Sequence, residues 1–383
     1  MRDTVRGIHR HRTAYHRTNR TRLIACFIID EDGDNVFGLT PQEACQETFV
    51  ITIASLEWHL GGSPFNASAL ASIITFNMTA PRDEARITLV GCGTIGLALA
   101  AFHLQHLKSP SQLTILDTRP ELEEYVHSML PKCLEPSKEA LASEVRLTND
   151  IREAVADADI IQEQGPENVE FKSKLWAEVE RHAKPSALFW SSTSGIPSSA
   201  QSKDMKDKSR LIVVHPYNPP HIMPLLEVVP SPQTSDEVIE QTLSWWRARE
   251  RTPVLIKKEV PGFVSNRLAF ALLREAIQLV NEGVVTPEEI DDVVTSSMGP
   301  RWAVAGPFKS YHAGGGTGGL EAFFKNIGGT VQGCWDASDA GKTNMGEGWE
   351  ENIFARTKEA YGTVDTAQRD RMTKAVLDAA RNS

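Results

Sequence analysis

The stretch "ITLVGCGTIGLALA", residues 87–100, constrains the fold more than any other part of the chain. An apolar run ends at Gly91, and Gly93 and Gly96 follow before a run rich in leucine and alanine. A strand that turns straight into a helix needs glycine at the turn, where a Cβ would clash. The second glycine lets backbone approach a bulky anion, and the third lets the helix lie close on the strand. Such a helix start offers free N–H groups and a partial positive charge, which suits a pyrophosphate. Asp117 ends the next apolar run, at the distance where dinucleotide folds carry an acid for the ribose hydroxyls. A carboxylate there repels a 2′-phosphate, so the pattern points to NAD over NADP. Arg119, just beyond, softens that preference.

Short apolar runs recur at 87–90, 113–116, 145–148, 159–162, 187–190, 211–214, 225–229 and 253–256. Amphipathic stretches such as "LALAAFHLQHLK" and "NVEFKSKLWAEVERHA" lie between the earlier runs. Strands alternating with helices give an α/β fold, a Rossmann-type doubly wound and mainly parallel sheet. The last two strands follow too closely for helical crossovers and are expected to turn antiparallel. Past "KKEVPGF" the texture becomes helical: residues 263–283 read as one long helix and 286–298 as another. Thr286 as cap, Pro287 at the first helical position and Glu289 closing a capping box mark the second. "HAGGGTGG" (312–319) reads as a flexible loop. The expected division is an extension over 1–80, poorly ordered, an NAD-binding domain over 81–259 and an all-α domain over 260–383.

A net charge of -10 with no basic stripe argues against a nucleic-acid partner. No apolar window is long enough for a membrane span. Five cysteines, Cys26, Cys45, Cys92, Cys133 and Cys334, are scattered without CxxC spacing, so neither a disulfide framework nor a metal site is expected. The first 22 residues hold seven arginines, three histidines and one acid. A mitochondrial presequence shares that bias, but the stretch lacks an apolar helical face, so a cytoplasmic protein with an extension is the expectation. Met78 would be a natural start, and the glycosylation-type triplets at Asn66 and Asn77 mean little without a secretory signal.

Three further motifs sit where strands end, on the edge that binds ligands in open α/β sheets. In "QEQGPENVEFK", Glu167 and Lys172 are candidates for the nicotinamide ribose; alone they would read as a helix-start acid and a solvated lysine. "SSTSGIP" (191–197) is either turn chemistry or a source of hydroxyls beside the nicotinamide. In "HPYNPPHIMPLLE", His215 closes an apolar strand and Glu227 lies in the next. A hairpin would set carboxylate beside imidazole, fixing the tautomer and stabilising the imidazolium of a general base. The alternative is a proline-stiffened surface turn. Asn266, near the start of the long helix, could donate to a substrate carbonyl or cap locally.

Taken in order, "GCGTIG", "QEQGPENVEFK", "SSTSGIP", "HPYNPPHIMPLLEVVP", "PGFVSNRL" and "GPRWAVAGPF" resemble the 3-hydroxyacyl-CoA dehydrogenase family, particularly its lambda-crystallin and L-gulonate 3-dehydrogenase branch, over about residues 86–325. The resemblance implies hydride exchange between NAD and a 3-hydroxyacyl or 3-hydroxy acid substrate, with His215 as base oriented by Glu227. It implies Ser194 and Asn266 as substrate-positioning residues, with Asn218 beside them. Thr94, Ile95, Asp117, Glu167 and Lys172 join the glycines as NAD contacts. It also implies a homodimer formed through the helical domain, and no metal. Acyl-CoA members insert a helical hairpin after the second strand; here "TRPELEEYVHSMLPKCLEPSKEA" is short and carries Glu121, Glu123 and Glu124. That departure sets a free 3-hydroxy acid such as L-gulonate against a CoA thioester. Arg301 is a candidate partner for a free carboxylate, or a helix-end cation. A polyketide-type 3-hydroxyacyl chain and a crystallin-like NAD-binding structural protein are the other readings.

Overall fold

In the computed structural model, residues 84–381 are described. The expectations for residues 1–80, from the extension and the presequence to Met78, Asn66 and Asn77, lie outside the described residues.

Each apolar run becomes a strand: β1 (Ile87–Val90), β2 (Leu113–Leu116), β3 (Arg146–Thr148), β4 (Ile160–Glu163), β5 (Leu188–Ser191), β6 (Leu211–Pro216), β7 (Leu225–Pro230) and β8 (Thr252–Leu255). They form one sheet in the order β3-β2-β1-β4-β5-β6-β7-β8. Strands β1 to β6 are parallel, β7 runs antiparallel to β6, and β8 runs parallel to β7. The chain moves outward from β1 through β2 to β3, then returns to β4 on the other side of β1. That reversal opens a crevice at the carboxyl ends of β1 and β4.

The central strands are buried on both faces, which is why they read as continuous apolar runs rather than alternating ones. Successive residues still point to opposite sides. Trp190 packs with Phe102 of α1 (Thr94–Leu104) and with Trp245 and Trp246 of α6 (Asp236–Arg247). Its neighbour Phe189 packs on the other face with Trp176 and Val179 of α4 (Val169–His182). Truncating either fully buried tryptophan, 176 or 190, to alanine would cost roughly 3–5 kcal/mol.

Two expectations need correction. The β7–β8 connection does contain a helix, α6, so only the β6–β7 step lacks a crossover and turns antiparallel. Its start is capped by Ser235, which accepts from the Val238 N–H, with Asp236 and Glu237 in the first turn. Nor is the glycine-rich segment a long loop. It ends α10 (Pro307–Gly314), makes one tight turn over Gly316–Gly318 and opens α11 (Gly319–Ala340).

The remaining helices are α2 (Leu122–Met129), α3 (Ile151–Val155), α5 (Ser198–Gln201), α7 (Ser265–Asn281), α8 (Pro287–Ser296), α9 (Met298–Val304), α12 (Glu350–Tyr361) and α13 (Thr366–Arg381). The Thr286–Glu289 capping box of α8 forms as expected. Among the described residues no strand follows β8, no helix is long and apolar enough to cross a membrane, and no cluster of metal-ligating side chains occurs.

Candidate active site

The glycine turn sits at the crevice. Gly91 has φ +102, in the left-handed region, and its N–H donates to the Leu116 carbonyl at 2.8 Å. A Cβ on Gly96 would lie 2.1 Å from the Gly91 oxygen, so α1 could not pack where it does. A Cβ on Gly93 would meet nothing within 4 Å. Gly93 caps α1 without a side-chain hydrogen bond, leaving the helix N-terminus open beside Thr94 and Ile95. Asp117 accepts from the Cys92 N–H at 2.8 Å, the Cys92 thiol at 3.1 Å and the Arg119 N–H at 3.0 Å. Burial alone would raise its carboxyl, but those hydrogen bonds and the Arg119 charge hold it below the usual range. Burial and the Asp117 carboxylate push the Cys92 thiol up to about 12, so it is no nucleophile. Open space over Gly93, an uncapped helix start and an ionised acid beyond it fit the pyrophosphate and ribose of NAD.

Behind the crevice, Lys172 has no exposed surface: its ammonium donates to Glu163 at 2.6 Å and to the Gly165 carbonyl at 3.4 Å. Glu163 also accepts from the Gly165 N–H and from Ser191 Oγ at 2.8 Å. This corrects the reading of Lys172 as a solvated lysine. A desolvated lysine needs its charge neutralised, and Glu163 does so in the interior. Glu167 is exposed at the rim and accepts from Thr193 Oγ1 at 2.6 Å and the Ser194 N–H at 2.9 Å. It thereby fastens the serine loop to the loop after β4.

Antiparallel pairing sets His215 directly opposite Glu227. His215 Nδ1 lies 2.9 Å from Glu227 Oε2, with both side chains nearly out of solvent. Three more donors reach the same carboxylate: Ser265 Oγ at 2.5 Å, the Ser265 N–H at 2.9 Å and the Val264 N–H at 2.8 Å. They come from the start of α7, whose dipole also favours an anion. The turn that aims them carries positive φ at Gly262 and Phe263, and the buried Phe263 ring packs against the imidazole at 5.4 Å. Burial would raise the Glu227 carboxyl; hydrogen bonds from His215, Ser265 and Val264 outweigh it and bring it to about 2. An ionised Glu227 accepts only, so the ring carries its proton on Nδ1 and keeps the Nε2 lone pair free.

His215 lines a cavity of about 280 Å³ together with Ile95, Ser194, Asn218 and Asn266. The Asn266 amide donates to the Ser194 carbonyl at 3.1 Å, joining the two expected positioning residues. Pro216, Tyr217, Ala269 and Phe270 supply apolar wall, and Ser192 a further hydroxyl. Arg301 is exposed on α9 and is not among the residues bordering this cavity. Sequence reasoning passed over Ser265, Phe263 and Glu163. Ser265 beside Asn266 at a helix start was a usable signal; Glu163 and the positive φ of Phe263 left none.

Comparison with known proteins identifies the family. The family described as "3-hydroxyacyl-CoA dehydrogenase, NAD binding domain" matches residues 86–260, and its C-terminal domain matches residues 262–348. A "3-hydroxyacyl-CoA dehydrogenase" from Gibberella moniliformis is 39% identical over 251 residues, 63% of this chain and 76% of its own. An "L-carnitine dehydrogenase" from Nocardiopsis dassonvillei is 32% identical over 311 residues, 79% of this chain and 93% of its own. Among solved structures, 5-formyl-3-hydroxy-2-methylpyridine 4-carboxylic acid 5-dehydrogenase, described as an NAD+-dependent dismutase, has TM-score 0.62 at 30% identity, covering 78% of this chain and 99% of its own.

Proposed function

Because this chain belongs to the 3-hydroxyacyl-CoA dehydrogenase family and is thereby an NAD-dependent oxidoreductase, we propose that it interconverts a small 3-hydroxy acid and its 3-oxo form, with His215 as the base. The observation that carries this reading is the Glu227-oriented imidazole bordering a cavity beside the glycine turn. Bound NAD supplies the hydride acceptor and, in reverse, the donor. Gly91, Gly93, Gly96, Thr94, Ile95 and Asp117 would hold it, with Glu167 at the rim.

Nε2 of His215 takes the proton of the substrate 3-hydroxyl. Positive charge then gathers on the ring, next to a carboxylate that cannot take the proton because its oxygens are filled by donors. Glu227 therefore stabilises the transition state more than the ground state. In the opposite direction the Nε2–H donates to the ketone. Ser194, Asn218 and Asn266 hold substrate oxygens and turn encounter into alignment.

Two observations favour a free acid over a CoA thioester. Between β2 and β3 the chain has the short α2 and two 3-10 segments, Pro131–Cys133 and Pro136–Glu144, in place of a long helical hairpin, and α2 carries Glu123 and Glu124 in its first turn, where thioester phosphates would want cations. Relatives named L-carnitine dehydrogenase match across most of their length, and L-carnitine is itself a small 3-hydroxy acid. The 39% identical relative named for a CoA substrate favours the second reading, a 3-hydroxyacyl-CoA thioester. We also propose a homodimer formed through the helical domain.

NADH absorbance, followed across free 3-hydroxy acids including L-carnitine and across 3-hydroxyacyl thioesters, tests the assignment. Turnover of free acids is expected, and turnover of thioesters alone would overturn it. His215→Gln should lower kcat by about 100-fold or more while NADH affinity stays within about threefold. A comparable loss of NADH affinity would refute the role given to the ring.

A further inference from the structure

A buried polar chain runs from α1 along one face of the sheet to the cavity wall. Gln162, on β4 with no exposed surface, meets His103 Nε2 at 2.9 Å through Oε1 and Ser192 Oγ at 3.1 Å through Nε2. His103 is fully buried, and Ser192 borders the cavity. The usual occupant of a central parallel strand is apolar, so a glutamine here requires partners for both ends of its amide.

The direction of every hydrogen bond in this chain follows. Burial pushes His103 down to about 3, so the ring is neutral and has one N–H. Its Nδ1 has no partner. A buried donor left unpaired is rarer than an unpaired acceptor, so the proton sits on Nε2. Gln162 Oε1 then accepts from His103, which turns the amide NH2 toward Ser192. Ser192 Oγ accepts that bond and donates to no group among the described residues. Its one hydroxyl proton is left for the cavity.

We infer that Ser192 is a further substrate-binding residue, its hydroxyl fixed by the positioning residues Gln162 and His103 as a donor to the carbonyl oxygen of a 3-oxo substrate. This rests on the 3-hydroxy/3-oxo reading proposed above. The carbonyl oxygen gathers negative charge as it is reduced, so a donor already aimed at it strengthens during the reaction without reorganising. The benefit therefore falls on kcat more than on KM. The polarity also matters: were Ser192 held as a donor to the amide, the cavity would face only its lone pairs.

The test uses the full chain and any 3-oxo compound that the wild type reduces. Ser192→Ala should lower kcat by roughly 10–100-fold with KM and NADH affinity within about threefold, and Ser192→Thr should recover kcat to within about threefold of wild type. Gln162→Met should lower kcat when Ser192 is present and change it less than about twofold in the Ser192→Ala background. Wild-type kcat in Ser192→Ala, or no recovery in Ser192→Thr, overturns the role of Ser192. Effects of Gln162→Met that multiply fully with Ser192→Ala overturn the relay. If Gln162→Met fails to fold, the Ser192 pair still decides. A wild type inactive on every 3-oxo compound overturns the proposed function and this role with it, whereas an active wild type with an equally active Ser192→Ala overturns this role alone.

Discussion

Both oxygens of Glu227 are occupied, one by His215 and Ser265 Oγ and the other by two N–H groups from the start of α7. This arrangement separates two properties that a buried carboxylate usually trades against each other. It stays ionised beside the imidazole, and it ties β7 to the junction of sheet and helical domain. Glu227→Gln keeps the shape but turns an NH2 toward donors, leaving N–H groups at 264 and 265 without a full acceptor. A loss of about 1–3 kcal/mol at neutral pH is expected from that mismatch. The pH dependence has a definite sign. The folded carboxyl lies near 2, below its ordinary value of 4.5, so its contribution is complete above about 4.5 and fades as pH falls toward 2. Urea midpoints of wild type and Glu227→Gln should thus differ most at pH 7, draw together below about 4.5 and converge only as pH approaches 2. A gap that holds constant across this range would mean that the carboxylate's charge adds nothing to stability.

At the scale of the element, the turn between β1 and α1 makes the clearest contrast. Ala at 96 would drive a methyl into the Gly91 carbonyl, whereas Ala at 93 meets open space in the protein itself. Gly96→Ala should therefore destabilise the chain by several kcal/mol. Gly93→Ala should leave the unfolding midpoint nearly unchanged and weaken NADH binding by about tenfold or more, seen by fluorescence titration; unchanged affinity would remove Gly93 from the cofactor site. The same elements show what was legible in the sequence. All eight strands could be read, because apolar runs bounded by turns carry their own signal. His215 opposite Glu227 could be read too, since a short connection allows little but an antiparallel pair. Helix α6 was missed although Ser235 capped it, because its polar outer face hid the two tryptophans that face the sheet. The glycine-rich segment misled for a different reason. Gly319 has φ +61, and a Cβ there would lie 2.3 Å from the His312 ring, so its glycines serve close packing rather than freedom. Lys172 could not have been placed from sequence, because nothing local reveals that Glu163 neutralises it in the interior.

The whole molecule divides its apolar surface unequally. The sheet domain buries its tryptophans, whereas the helical part leaves Leu268 62%, Phe270 60%, Val304 63% and Phe308 79% exposed, with Trp302, Tyr311 and Trp335 also in water. Soluble monomers rarely leave so many large apolar side chains uncovered, and two copies related by a twofold axis could cover each other's. Phe270 both belongs to this exposed set and borders the cavity, so covering it would also shield the base from solvent. In the proposed dimer, association and catalysis would be coupled through α7. Light scattering at micromolar concentration should give twice the 42.3 kDa chain mass. Phe308→Glu combined with Val304→Glu should shift the protein toward monomer, and kcat should fall several-fold in step with the monomer fraction as the protein is diluted. A wild type that scatters as a single chain would end the dimer proposal; a monomeric variant with full kcat at every concentration would keep the dimer but uncouple it from the chemistry.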